Sequence, residues 1–229
     1  MTILKVTDLQ KEFVLHHQNN AEIIALWGVN FSLSAGECLV LKGASGTGKS
    51  SLLRTVYGNY LATRGRVDIC HQGKVINLCK TDPRTILHIR QHTMGYVSQF
   101  LRVVPRVSAL QIVATPLLER GVDSTTAIEK AQAMLQRLNI PERLWDLAPA
   151  TFSGGEQQRV NIAHGFIADY PLLLLDEPTA SLDEHNRDVV IQLIQAKKAQ
   201  GVAVLGIFHD AVVRDAVADH FYEMTREDE

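Results

Sequence analysis

The chain has 229 residues, a formal net charge of −2, 46% hydrophobic residues and 21% charged residues. These values fit one substantial hydrophobic core, alone or with a small subdomain, and they lack the basic excess of nucleic-acid-binding proteins. Three cysteines without a CxxC pair argue against a disulfide scaffold and favour reduced thiols, so we expect a cytoplasmic protein. No apolar run is long enough to span a bilayer, and the N-terminus lacks the apolar stretch of a secretory signal. We therefore expect no transmembrane segment of its own.

The N-terminal third has short runs with β-strand character. Before residue 35 these runs are Ile3–Val6, Phe13–Leu15 and Val29–Leu33. Further along, Val67–Ile69 and Val75–Leu78 flank a turn that contains Gly73, a pattern that predicts a β-hairpin. Together these runs predict a partly antiparallel sheet near the N-terminus.

From residue 38 onward, short apolar strands alternate with helical periodicity. The predicted strands are Cys38–Leu41, Met94–Ser98, Leu172–Asp176 and Val202–Phe208. One helix is predicted from Lys49 to a stop at Gly58, and another carries the apolar residues of 189–194 before a cap at Gly201. This alternation predicts a parallel sheet with helices on both faces.

Residues 108–167 interrupt that alternation, because they contain no predicted strand. Apolar residues recur there every three or four positions, at Ile128, Ala131, Leu135 and Leu138. The spacing predicts a helix with one face packed on a core. We therefore expect a helical insertion within an α/β domain.

Residues 43–50 read GASGTGKS and match the phosphate-binding pattern GxxxxGK[ST], between a strand-like and a helical run. Glycines let the backbone curl so that N–H groups point at phosphate oxygens, and the helix N-terminus adds further donors. Lys49 is predicted to reach the β- and γ-phosphates, and the Ser50 hydroxyl to bind Mg²⁺. The loop residues predicted to bind ATP are Gly43, Ala44, Ser45, Gly46, Thr47, Gly48, Lys49 and Ser50.

Residues 172–177 read LLLLDE, four apolar residues followed by two carboxylates. A buried strand would deliver Asp176 to the metal end of the site, while Glu177 would polarise the attacking water. Taken alone, this pattern also describes the end of many ordinary strands. The phosphate-binding loop is what gives it a functional interpretation.

Residues 153–159 read SGGEQQR, which predicts a helix start with Ser153 as N-cap and Glu156 completing a capping box. A helix N-terminus with a serine cap and flanking glycines is also suited to an anion, here the γ-phosphate of a nucleotide on another subunit. The local and the functional interpretation are compatible.

This ordered set of motifs resembles the nucleotide-binding domain of ATP-binding cassette (ABC) proteins. The motifs are the loop at 43–50, Gln99, FSGGE at 152–156, LLLLDE at 172–177, SLD at 181–183 and His209. The resemblance covers essentially all of residues 1–229. It implies a P-loop NTPase fold with a RecA-like parallel core and an N-terminal antiparallel β-subdomain, at about 1–107 and 168–229. It also implies a helical subdomain at about 108–167.

The resemblance further implies roles for single residues. Gln99 would link the Mg²⁺ site to the helical subdomain and to a partner, His209 would contact the γ-phosphate, and Phe13 would stack on adenine. With Lys49 and Glu177, Gln99 and His209 form the implied catalytic set. The implied Mg²⁺ ligands are Ser50, Gln99 and Asp176.

A second nucleotide-binding domain, from a copy of this chain or a related ABC protein, would complete each ATP site in trans. Ser153 and Gly155 would act in trans, and the other residues implied to bind ATP are Ser51, Gly154, Glu156 and Asp183. One departure from the usual LSGGQ is Glu156, which stands where the family has glutamine. Its carboxylate would lie near the phosphate of the partner's nucleotide.

Several segments, which include motif residues as well as residues outside the motifs, are similar to the PhnL subfamily of the bacterial carbon–phosphorus lyase system. These segments are 98–110, 141–145, 152–163 and 208–210. The similarity implies an ATPase in phosphonate catabolism, with lyase subunits as partners. The alternative is the motor subunit of a membrane transporter of the lipoprotein-releasing or macrolide-export type. A DNA-repair ATPase is disfavoured because zinc-ligand cysteines and a basic excess are both lacking.

Overall fold

The computed structural model describes residues 1–15, 21–101 and 105–225, and within these ranges the strands form two sheets. The strands are β1 Thr2–Leu15, β2 Ala21–Ser34, β3 Cys38–Lys42, β4 Arg64–His71, β5 Lys74–Asn77, β6 Met94–Val97, β7 Leu172–Asp176, β8 Ala203–Ile207 and β9 His220–Glu223. The helices are α1 Lys49–Val56, α2 Pro83–His92, α3 Ala109–Leu118, α4 Ser124–Arg137, α5 Gly154–Phe166, α6 Glu184–Ala199 and α7 Ala211–Val217. Two short 3₁₀ turns lie at Glu142–Leu144 and Pro149–Thr151.

The first sheet is antiparallel, with strand order β2-β1-β4-β5, as predicted for the N-terminal region. The predicted β4–β5 hairpin is confirmed. The runs at 3–6 and 13–15 prove to be one strand, β1, and not two short ones. Polar residues such as Lys11 and Glu12 interrupt the apolar run and so hide this continuity in the sequence. The strand is nevertheless continuous, because its backbone pairs with β2 along most of its length.

The second sheet is parallel, with strand order β6-β7-β8-β3-β9. All five residues of β7 are buried. Leu173 and Leu175 pack into the core shared with α3–α6, whereas Leu172 and Leu174 pack into the core shared with α1 and the first sheet. This alternation confirms the prediction of a strand covered on both faces.

Residues 108–167 contain helices and turns but no strand, as predicted. Ala131, Leu135 and Leu138 are fully buried, and Ile128 packs against the same core. The fold is therefore the predicted one, a P-loop ABC ATPase fold with an antiparallel β-subdomain, a parallel sheet and a group of helices.

Helix α5 lies unusually close to β6. A Cβ atom on Gly165 would stand 2.5 Å from Val97 Cγ2, and one on Gly95 would stand 2.8 Å from the Gly165 carbonyl oxygen. Two facing glycines thus permit the approach. The contact lies at the C-terminal end of α5, and one turn earlier the Asn161 side chain donates to the carbonyl oxygen of Ser98, next to Gln99.

None of the helices in the described parts of the chain combines the length and the apolar character needed to cross a bilayer.

Candidate nucleotide site

Three groups of functional residues predicted from sequence meet at one edge of the parallel sheet. The phosphate-binding loop follows β3, Asp176 ends β7, and His209 comes two residues after β8. These three strands are neighbours and run in the same direction, so their carboxyl ends lie side by side. In open α/β sheets this edge is the usual place for ligands.

The phosphate-binding loop has the backbone that its glycines allow. Gly43, Gly46 and Gly48 have φ angles of 132°, 82° and 87°, a region that other residues rarely adopt. Helix α1 begins directly after Gly48, so its first N–H groups point toward the loop. At Gly48 a Cβ atom would also lie 2.0 Å from the carbonyl oxygen of Ala25 on β2, so only glycine fits there.

Lys49 is nearly buried, with 9% of its surface exposed, and its ammonium group lies within the curl of the loop. Nζ donates hydrogen bonds of 2.7 Å to the carbonyl oxygens of Gly43 and Ala44. The only full positive charge on residues 43–50 is therefore held against the backbone of the loop. This placement agrees with the predicted role of Lys49 toward the β- and γ-phosphates.

Asp176 and Ser50 form the predicted metal end of the site. The Ser50 hydroxyl donates to Asp176 Oδ1 over 3.1 Å, which joins the start of α1 to the end of β7. Asp176 is fully buried, and burial raises the pKa of its carboxyl group, while the bond from Ser50 opposes this rise. A hydroxyl and a carboxylate are hard oxygen ligands that Mg²⁺ prefers, and a bound cation would offset the cost of burying the charge. The residues present therefore fit a magnesium ion.

Glu177 contacts both Gln99 and His209, whose roles were predicted from the resemblance. Gln99 Nε2 donates to Glu177 Oε2 over 3.2 Å, and His209 Nε2 lies 2.7 Å from Glu177 Oε1. Gln99 therefore contacts the predicted base, and its role as a Mg²⁺ ligand stays a prediction. His209 is well exposed, so its ring is accessible from the solvent side of the site.

The N-terminus of α5 has the predicted capping box. Ser153 Oγ accepts the Glu156 N–H, and the Glu156 carboxylate accepts both the Ser153 N–H, over 2.9 Å, and the Ser153 hydroxyl, over 2.7 Å. These bonds from Ser153 lower the pKa of Glu156. Gly154 has open space where a side chain would stand, whereas Gly155 lies close to the carbonyl oxygen of Ser181. The predicted contact with a second subunit's nucleotide remains a prediction.

Asp183 caps a different helix, since its Oδ1 accepts the Asn186 N–H at the start of α6. The sequence motif did not predict this structural role of Asp183 as a helix cap. It orients the carboxylate toward its own helix, and the predicted role of Asp183 in binding ATP stays a prediction.

Phe13, the predicted adenine-stacking residue, is half-buried near the end of β1. Its ring meets the Tyr60 ring edge to face at a centroid distance of 5.1 Å. Phe13 pairs with Ile23 on β2, two residues before Ala25, whose carbonyl touches Gly48. The ring therefore lies on the part of the β-subdomain that borders the phosphate-binding loop, which agrees with the predicted role.

A groove with a cavity volume of about 990 Å³ opens beside Gln99. Its walls come from α1 and the turn after it, from β6 and the segment after it, and from helices α2, α3 and α5. Residues that represent these walls are Arg54, Tyr57, Tyr96, Phe100, Ile112 and His164. Burial lowers the pKa of His164 on the α5 wall. Residues 102–104, part of the segment similar to PhnL, lie outside the described residues.

Tyr96 is a site residue that the sequence reasoning missed. It was predicted only as part of a strand, yet its hydroxyl donates to Asp176 Oδ2 over 3.4 Å. No local motif marks this contact. The signal lies in strand pairing, because β6 and β7 are adjacent in the sheet and Tyr96 is in register with Leu174, two residues before Asp176.

The sequence family described as ABC transporter matches residues 26–180. The lipoprotein-releasing system ATP-binding protein LolD of Zymomonas mobilis subsp. mobilis is 36% identical over 91% of this chain and 87% of its own length. LolD of Hydrogenovibrio crunogenus is 33% identical over 97% and 94% of the two chains. The macrolide export ATP-binding/permease protein MacB of Shigella flexneri is 28% identical, with 92% of this chain matching 31% of that protein. None of these three is named as a carbon–phosphorus lyase protein, so they do not confirm the predicted PhnL subfamily.

Among solved structures, the dimeric post-hydrolysis state of the ATP-binding cassette MJ0796, bound to ADP and Pi, superposes with a TM-score of 0.88. It is 27% identical and covers 97% of this chain and 94% of that one. The match extends over both sheets and the helices between them. The chain therefore belongs to the ATP-binding cassette family, and it is an ABC ATPase.

Proposed function

We propose that this ATPase hydrolyses Mg-ATP at two sites formed between a head-to-tail pair of nucleotide-binding domains. The observation that carries the proposal is the convergence of the phosphate-binding loop, the Ser50–Asp176 pair and Glu177 at one sheet edge. The similar cassette MJ0796 is dimeric with ADP and Pi bound, which supports a second nucleotide-binding domain as partner.

In this mechanism the amides of residues 43–50 and Lys49 bind the triphosphate and hold it in place. Ser50 and Asp176 would hold Mg²⁺, and the bound cation would neutralise negative charge on the phosphate oxygens. The Glu177 carboxylate accepts a proton from the attacking water, and Gln99 and His209 fix its orientation. Ser153 and the first amides of α5 complete the other subunit's site and stabilise charge on the γ-phosphate.

Mixing two inactive variants tests the head-to-tail arrangement. Lys49→Ala disables the loop but leaves α5 intact. Gly154→Asp places a carboxylate at the interface, where the structure has open space, so it should not disturb the chain's own fold. Each variant alone should be inactive, whereas a mixed pair has one complete site.

With random pairing, the equimolar mixture should recover roughly a quarter of the wild-type turnover, because half of the pairs are mixed and each has one of two sites. A mixture that stays as inactive as its components would contradict the trans arrangement. Nucleotide binding by Gly154→Asp, measured separately, checks that its loop is intact.

We infer that the groove beside Gln99 receives a partner that the ATPase drives, and that the partner belongs to a membrane transporter. The names of the relatives, a lipoprotein-releasing system protein and a macrolide export protein, support this class. Gln99 supports a coupling role, because it lies in the groove wall and also contacts Glu177. In this proposal the chain works on the cytoplasmic side of the membrane.

A second candidate is an ATPase of the carbon–phosphorus lyase machinery, with soluble subunits in the same groove. One observation favours it, the similarity of residues 98–110 to PhnL, since Phe100 and Leu101 of that segment line the groove. The relatives compared above favour the transporter.

Photo-crosslinking from the groove separates the two candidates. Phe100 is 75% exposed in the groove, and Val75 is 69% exposed on β5, away from it, which makes a matched control position. A cross-link from position 100 to an integral membrane protein supports the transporter, and one to a soluble lyase subunit supports the second candidate. Equal cross-linking from both positions would remove the groove as the docking surface.

A further inference from the structure

Asp176 has its two carboxylate oxygens bound by two different side chains. Ser50 donates to Oδ1 over 3.1 Å and Tyr96 donates to Oδ2 over 3.4 Å. Asp176 is fully buried, and a buried carboxylate is costly unless its oxygens are hydrogen-bonded. Within the described residues, Ser50 and Tyr96 are the side chains that donate hydrogen bonds to Asp176.

The Tyr96 hydroxyl is held in place by packing of its ring and by a hydrogen bond with the Arg54 side chain on α1. Tyr96 lies on β6, next to β7, and its ring contacts the ring of Tyr57 at a centroid distance of 4.8 Å. Tyr57 caps α1, the helix that carries Ser50. The donors to Asp176 therefore come from two elements, β6 and α1, that pack on each other through these two rings.

The geometry points to Tyr96 as a positioning residue for magnesium binding. It acts through Asp176 and needs no contact with nucleotide or metal of its own. By holding Oδ2, the Tyr96 hydroxyl restricts rotation of the carboxylate, so that Oδ1 stays beside Ser50, another predicted ligand. Groups that orient a metal ligand in this way commonly change metal affinity when they are removed. The inference rests on the proposed function, in which Ser50 and Asp176 hold Mg²⁺.

Tyr96→Phe tests this role, because it keeps the ring against Tyr57 and removes only the hydroxyl. The readout is the affinity for a fluorescent ATP analogue, titrated with Mg²⁺ and, separately, in excess EDTA. We expect the Mg²⁺ concentration that gives half of the maximal increase in nucleotide affinity to rise by roughly tenfold. Affinity in EDTA and the thermal midpoint without nucleotide should stay close to the wild-type values, since neither depends on aligning Asp176.

Tyr222→Phe is the matched control. It removes a tyrosine hydroxyl that accepts the backbone N–H of Asn30, away from Asp176. The proposal is overturned if Tyr96→Phe leaves the Mg²⁺ titration unchanged, or if Tyr222→Phe shifts it equally. Failure of the proposed function would look different, because the wild-type chain itself would then bind nucleotide without any dependence on Mg²⁺.

Discussion

His209 Nε2 and Glu177 Oε1 lie 2.7 Å apart, although the two residues are separated by 32 positions in the chain. The backbone brings them together, because the Glu177 N–H donates to the carbonyl oxygen of Ile207 at the end of β8. Glu177 has a φ angle of 53°, which is unusual for a residue with a side chain. Strain of this kind persists where the surrounding structure enforces it, often at functional sites. The Glu177 carboxylate is thus held in one place by its own backbone turn and by two side chains.

Replacing Glu177 by Gln should lower ATP turnover by about 10²- to 10⁴-fold, the usual effect of removing a general base. The amide keeps the shape of the side chain, so ATP-dependent pairing should persist or strengthen. Phosphate release and particle mass by light scattering measure the two effects. Glu184→Gln, an exposed residue at the start of α6, is the control and should leave both unchanged. Unaltered turnover in Glu177→Gln would remove Glu177 from the role of base.

Replacing Gly48 by Ala should abolish nucleotide binding and destabilise the fold. The new Cβ would meet the Ala25 carbonyl oxygen at 2.0 Å, so either the loop or β2 has to move. Gly73→Ala is the matched control, since Gly73 has a similar φ of 76° but open space around it. The control should lose about 1–2 kcal/mol of unfolding free energy from the backbone alone and keep its nucleotide affinity. Equal losses in both variants, measured by denaturant unfolding, would show that the contact with Ala25 is unimportant.

Local patterns in the sequence were sufficient for the elements that carry the motifs. The loop at 43–50, the buried strand β7 and the capping box at Ser153 each depend on residues close together in the chain. Their meeting at one sheet edge also follows, because the carboxyl ends of parallel strands coincide. The family resemblance added Gln99 and His209, whose residue types alone say little.

Contacts set by strand order could not be predicted. The Tyr96–Asp176 and Glu177–His209 contacts depend on which strands are neighbours in the sheet, which no local pattern specifies. The full length of β1 was missed for a related reason. Lys11 and Glu12 lie beyond the part of β1 that pairs with β4, and the pairing of β1 with β2 shifts register between them, so the alternating hydrophobic pattern is interrupted there.

Glu156→Gln should strengthen ATP-dependent pairing. The hydrogen bonds from Ser153 lower the pKa of Glu156, so its side chain carries a negative charge at neutral pH. This charge lies beside the position predicted for the γ-phosphate bound by the partner subunit. Glutamine retains an oxygen that can accept the Ser153 N–H, and it removes the repulsion at both sites of the pair. At roughly 1 kcal/mol per site, this amounts to about thirtyfold in the dimer dissociation constant. Sedimentation with ATP, in the Glu177→Gln background, measures this constant. A weaker or unchanged dimer would show that the charge does not oppose the nucleotide.

A histidine cluster between β4 and α2 should make stability depend on pH. His71 Nδ1 lies 2.6 Å from Thr93 Oγ1, and His71 Nε2 lies 2.9 Å from His88 Nδ1, with the His88 and His92 rings 4.4 Å apart. Burial lowers the pKa of His71, and His88 and His92 lower it further. Burial also lowers the pKa of His92, together with His88 and Arg120.

Lowered histidine pKa values mean that the unfolded chain binds more protons than the folded chain in the mildly acidic range. The contribution of neutral His71 and His92 to the free energy of unfolding is therefore fully present above about pH 6.5, the ordinary histidine pKa. It is lost as the pH falls below that value. Urea unfolding between pH 8 and pH 5 should show this decline. His88→Gln removes a charge that opposes protonation of its two neighbours, so its decline should be shallower. His185→Gln, on the exposed start of α6, should follow the wild-type curve, and a His88→Gln curve as steep as that of the wild type would show that the cluster does not set the pH dependence.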